Sequence, residues 1–105
     1  MPATSGYIVI TFEFRKEGNR WVACCEELGT STFGRSIQES ERKLSEAVLL
    51  HLNTLEDVDE IDNFFRENSI RFYRTKPSKD FRINAPVSSR TFYKPHIQAV
   101  PAMAS

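Results

Sequence analysis

Between Tyr7 and Arg15 the chain alternates: Ile8, Ile10, Phe12 and Phe14 fall on one side of an extended backbone, with Val9, Thr11 and Glu13 on the other. Side chains repeat with period two along a strand and 3.6 along a helix. Four bulky apolar residues at every second position therefore commit this segment to a half-buried β-strand. Lys16-Glu17-Gly18-Asn19 follows, a polar, glycine-containing link of hairpin length. A second strand is predicted from Arg20 to Cys25, with Trp21, Ala23 and Cys25 on one face, and a short third from Thr30 to Gly34 on its Thr and Phe content. Gly29 and Gly34 are placed to supply positive φ at the ends of that third strand. The first third of the chain reads as an antiparallel meander.

At Ser36 the period changes. Ser36-Ile37-Gln38-Glu39 fits the S-x-x-E capping box, in which the Ser hydroxyl and the Glu carboxylate each satisfy an orphan backbone donor. Ile37, Leu44, Val48 and Leu55 then recur at helical spacing, with Ala47 and Leu52 widening the stripe, and the predicted helix ends near Asn53. Trp21 and Ala23 are expected to pack beneath it, and His51 lies beside the stripe as a partly buried residue. Leu49 and Leu50 fall on the side shared by Arg42, Glu46 and Asn53. Two leucines off the core stripe need a cover, either a later segment of the chain or a second protomer. A homo-oligomer, most simply a two-fold dimer, is the expectation for a chain this small. A second helix is predicted over Val58 to Asn68, with Val58, Ile61 and Phe65 on one face and Asp57, Asp59 and Glu60 in its first turn.

Beyond Ser69 regularity fades. Ile70 to Arg74 and Thr91 to Val100 have strand character, the latter interrupted by Pro95, and Pro77, Pro86, Pro95 and Pro101 exclude a long helix. The chain thus divides into an α+β domain, residues 1–75, and a basic, proline-containing tail, residues 76–105. Net charge is zero but uneven: residues 1 to 70 hold thirteen Asp and Glu against seven Lys and Arg, and residues 71 to 105 hold seven Lys and Arg against one Asp.

Little in the chain points to catalysis. Cys24 and Cys25 are adjacent, so on a strand their thiols diverge and do not pair. With His51 and His96 as the two histidines, no metal-ligand spacing is recognisable, and no His–acid set accompanies either thiol. The expectation is a non-enzyme without cofactor or metal. No apolar run approaches the roughly 18–20 residues of a membrane span, and Met1 to Gly6 lacks the basic and apolar stretch of a secretory signal, so the chain is expected to be soluble and cytoplasmic.

A family pattern emerges from particular segments. Tyr7-Ile8-Val9 opens the first strand and Trp21-Val22-Ala23 lies on the second. Glu27-Leu28-Gly29-Thr30-Ser31-Thr32-Phe33-Gly34 is followed by Ser36 and Glu39, and Phe65-Arg66-Glu67-Asn68-Ser69-Ile70 closes the second helix. Over roughly residues 7 to 73 this order resembles the HicB-type antitoxins, whose fold is a partial RNase H-like sheet and helix. Ser40 stands where that family has Ala, Arg35 replaces a common Asp, and no Pro flanks the Glu-Leu pair. The resemblance is to a short form: the C-terminal DNA-binding unit common in the family needs two more helices, which Arg71 to Ser105 does not offer.

What the resemblance implies is an antitoxin that binds and masks a HicA-type toxin, a small basic RNase that cleaves messenger RNA. An acidic body suits such a partner, because opposite potentials speed encounter. Two alternatives stand beside it. One is a nucleic-acid module using Arg71, Arg74, Lys76, Lys79 and Arg82, with Phe72, Tyr73 and Phe81 interleaved to stack on bases. The other is an orphan structural domain. Glu13, Glu26 and Glu27 sit on or beside the sheet where an RNase H holds metal, but their spacing matches no metal motif.

Overall fold

A computed structural model describes residues 4–77 and 90–101 of the chain. Its elements are β1 (Thr4–Glu17), β2 (Arg20–Cys25), β3 (Thr30–Gly34), α1 (Ile37–Asp57), α2 (Ile61–Glu67), β4 (Phe72–Tyr73) and β5 (Thr91–Pro101). The architecture is α+β: an antiparallel meander, a long helix, a short helix and a β-containing C-terminal segment, as the sequence predicts.

β1 is the central strand. It pairs with β2 over residues 12–17 and with β4 at Tyr7 and Ile8, while β5 runs beside both stretches. A strand has two edges, so β2 and β4 must share one edge of β1 and β5 takes the other; β3 lies outside β2. Every pairing is antiparallel. On the shared edge no registered partner faces Thr11. Its N–H donates instead to both carboxylate oxygens of Glu27, each at 3.1 Å. The side chain does there what a strand carbonyl does elsewhere in the ladder.

The period-two pattern has its expected consequence. Ile8, Ile10, Phe12 and Phe14 are almost fully buried, in one cluster with Ala23 and Cys25 of β2, Leu44, Val48 and Leu52 of α1, and Ile61 and Phe65 of α2. Both helices therefore lie on one face of the sheet. Ile37 and Leu55 of the anticipated stripe pack at its margin, and the fully buried Ser40 continues it, its hydroxyl donating to the Ile37 carbonyl at 2.9 Å. Lys94 of β5 reaches Glu41 of α1 at 2.6 Å, and His96 stacks on Phe12 at 4.2 Å between ring centres.

Several expectations are corrected. The hairpin link is the two-residue Gly18-Asn19, because Lys16 and Glu17 stay in the ladder opposite Trp21 and Arg20; Gly18 has φ +64, which a two-residue loop with glycine first requires. Gly29 has the expected positive φ, but Gly34 does not. Gly34 is needed for space: a Cβ there would lie 2.7 Å from the Ser40 backbone nitrogen, so its absence lets the first turn of α1 sit on β3. The Ser36 hydroxyl accepts from the Glu39 N–H at 3.0 Å as predicted, whereas the Glu39 carboxylate accepts from the N–H of Arg35, one residue before the cap.

α1 continues past Asn53 to Asp57 because Leu55 still packs on the core. It closes with Asp59 in the left-handed region, φ +59, and with N–H bonds from Asp59 to the Glu56 carbonyl and from Glu60 to the Leu55 carbonyl. This is the Schellman closure. α2 therefore starts at Ile61: Val58 is the exposed cap of α1, Asp57 belongs to α1, and Asp62 is the acidic residue of the first turn of α2. α2 closes in the same way through Ser69, φ +56, with Ile70 donating to Phe65. Pro95 does not interrupt β5. Its partner Thr11 points its N–H at Glu27 on the opposite edge of β1, so Pro95's ring nitrogen faces away from β1, toward an outer edge that no described strand occupies.

Candidate partner-binding face

The same alternation that fills the core assigns the other side of the sheet. Register places Tyr73, Tyr7 and Ala99 in one cross-strand row, Val9 and Ile97 in the next, then Thr11 and Pro95. Cys24, Glu13 and Tyr93 follow, then Phe33, Val22, Arg15 and Thr91. Both described helices pack on the opposite face. An antiparallel sheet with one face free of helices normally carries polar residues there. Here Tyr7, Val9, Val22, Tyr73, Ile97 and Ala99 are half-buried and mostly apolar. Tyr7, Tyr73, Ala99, Val9 and Ile97 occupy two adjacent rows and form a continuous field, since side chains directly opposite in a ladder lie about 4.5–5.5 Å apart; Val22 lies three rows further on, beyond Glu13.

Carboxylates border the field at one end. Glu13 accepts a hydrogen bond from Tyr93 and holds that phenol above its ordinary pKa. Glu13, Glu17 and Glu26 stand close enough to Cys24 to disfavour its thiolate, adding to the larger effect of burial, while Arg15 opposes them. Cys25, on the core face, is pushed up to about 12, chiefly by burial. The two thiols diverge as the strand requires, one in the core and one on the helix-free face. Neither environment activates a nucleophile, which needs a depressed thiol pKa. Glu27 faces β1 and serves the backbone of Thr11. Among the described residues no three His, Cys, Asp or Glu side chains converge to hold a metal ion. Nor is any described helix long and apolar enough to cross a membrane.

The other residues singled out from sequence lie elsewhere. Leu49 and Leu50 are on the outer surface of α1, 41% and 68% exposed. Leu50 rims an apolar hollow of about 340 Å³ that also involves Thr30, Ala47, His51, Thr54 and Leu55. His51 is half-buried against Phe64, with ring centres 5.4 Å apart. Arg71, Arg74 and Lys76 are exposed around β4, where Phe72 stacks on Phe65; Lys79, Phe81 and Arg82 lie outside the described residues.

Sequence reasoning missed two features. One is the apolar content of the helix-free face, visible in the same alternation once Ile97 and Ala99 are placed beside Tyr7 and Val9. The other is a groove of about 540 Å³ where Arg20, Arg35, Arg42 and Lys43 gather around the exposed Phe33. Arg20 lies 4.8 Å and Lys43 5.8 Å from the Phe33 ring centre. These cations come from β2, the β3–α1 link and α1, so the acidic sum over residues 1 to 70 conceals them.

Among the described residues, the sheet carries both helices on one face and a half-buried, largely apolar patch on the other. No family model, curated protein or solved structure matches the chain.

Proposed function

We propose that this chain is a HicB-like antitoxin that binds and neutralises a HicA-type, mRNA-cleaving toxin on the helix-free face of its sheet. The observation that carries the reading is the half-buried field of Tyr7, Val9, Ile97 and Ala99, followed along the same face by Glu13, Glu17 and Glu26, with Arg15 among them. An apolar centre supplies affinity and an acidic margin selects a basic partner. The element order, a three-stranded meander leading into a capped helix, supports the same reading, because it is the order the resemblance implies. Ser40 also fits: its hydroxyl bonds its own helix turn, so it fills a position suited to the family's alanine.

Co-expression tests this. The chain is expected to restore growth to cells producing the HicA-like toxin encoded beside it, and Ile97→Lys is expected to abolish rescue while leaving the circular dichroism spectrum intact. Failure of the full chain to bind any HicA-like protein encoded beside it would sink the assignment.

The nucleic-acid reading draws on Arg71, Arg74 and Lys76, exposed together beside Phe72. Deleting everything after Thr75 cannot test it, since that removes β5 from the whole length of β1. Replacing the three cations with Ala can. Binding to single-stranded RNA that weakens with salt and disappears in this triple variant would favour the nucleic-acid module.

A further inference from the structure

We infer that α1 is the contact surface of a two-fold homodimer in which two copies of this helix pack antiparallel about Leu50. Leu50 is the most exposed of the large apolar residues described, and it stands directly beside an apolar hollow. Ala47 and Thr54, at i−3 and i+4, flank it with small side chains, so a leucine from a second copy can enter where Leu50 leaves room. Knob and hollow on one surface are what an isologous contact needs, because each copy must offer both.

Charge fixes the orientation. In an antiparallel pair centred on residue 50, each residue close to the line through Leu50 meets the one equally far on the other side of the centre. Lys43, seven residues before Leu50, then meets Asp57 of the second copy, seven residues after it, and the symmetry makes this pair twice. Leu50 lies at the centre of the line, with Lys43 and Asp57 each about 20° from it; Ala47 and Thr54 flank it on one side and Glu46 and Asn53 on the other. Lys43 contacts Glu39 of its own helix at 3.4 Å and lies 5.8 Å from the Phe33 ring centre, both contacts at the partly exposed surface where such pairings are weak and exchangeable. A parallel arrangement would instead set Lys43 on Lys43 and Asp57 on Asp57. The antiparallel register is the one the sequence permits. This surface lies on the opposite side of the sheet from the proposed toxin-binding face, so neither assignment depends on the other.

Sedimentation of the full chain between 1 and 100 μM tests the dimer. The unsubstituted protein is expected to be dimeric at the upper concentration and Leu50→Glu monomeric throughout. Lys43→Asp and Asp57→Lys alone should each weaken the dimer by about ten-fold, since each creates two like-charge contacts. The double exchange, Lys43→Asp with Asp57→Lys, should recover most of the loss. All three positions are on the outer surface of α1, and circular dichroism checks that the fold is kept; Leu50→Gln supplies an uncharged second variant. A monomer at 100 μM, a dimer indifferent to both Leu50 substitutions, or a double exchange no better than the singles would overturn the proposal.

Discussion

At the residue scale, the side chains that look chemically equipped are occupied with the fold. Glu27 is the clearest case, since both carboxylate oxygens receive the N–H of Thr11 where the strand beside β1 is missing. Glu27→Ala leaves that donor unpaired, and chemical denaturation should show a loss of about 1–3 kcal/mol. Glu27→Gln, which keeps an acceptor oxygen, should lose less, and the exposed Glu26→Ala almost nothing. His96 gives a pH dependence. Burial against Phe12 lowers its pKa, opposed by Gln98 and Glu41 and assisted by Lys94. The unfolded ring takes a proton near its ordinary value of about 6.5 and the folded ring only at lower pH. Below that value the unfolded chain binds more protons, so this contribution is complete above about pH 6.5 and is lost as the pH falls through the folded value. The urea midpoint should drop between pH 7.5 and pH 5, and His96→Phe, which keeps a stacked ring, should flatten that part of the slope.

At the element scale, what was legible in the sequence follows from the range of the signal. Period-two and period-3.6 patterns are local, so β2 and β3 fall where expected and the start of α1 is marked by Ser36. The end of α1, and with it the start of α2, was not legible, whereas the end of α2 falls where expected, at Asn68. The helices' left-handed closing positions are Asp59 and Ser69, residues that carry no glycine signal, and the closure shows only in the bonds from Glu60 to Leu55 and from Ile70 to Phe65. The helix prediction consequently stopped α1 too early and started α2 too soon. Pro95 misled for a related reason: whether a strand tolerates proline depends on which edge its nitrogen faces, a property of pairing and not of the segment. Left-handed backbone costs an L-residue roughly 1–2 kcal/mol, partly offset for glycine by the entropy of its unfolded chain. Ser69→Gly should therefore raise stability by about 1 kcal/mol, visible as an increase in Tm.

At the scale of the whole molecule, a single sheet presents two apolar faces. One is closed by α1 and α2. The other carries Tyr7, Val9, Val22, Ile97 and Ala99 without a described helix over it. The sequence displays the first face plainly, because Ile8, Ile10, Phe12 and Phe14 are consecutive members of one alternation. It scatters the second over three strands, and Tyr7 and Val9 meet Ile97 and Ala99 only once β5 lies along β1. The register itself is testable: Phe12→Ala should cost about 3–5 kcal/mol and lower Tm far more than Thr11→Ala, whose side chain is on the helix-free face. Equal effects would place the strand one residue out of register. The most direct measurement of the proposed function is titration calorimetry of the chain with a HicA-like protein encoded beside it, comparing the unsubstituted protein with Val9→Lys and Glu13→Lys. Binding by the unsubstituted chain that weakens at least about ten-fold in both variants, with unfolding transitions retained, is the predicted result. Absence of binding, or affinity unchanged by either substitution, would contradict it.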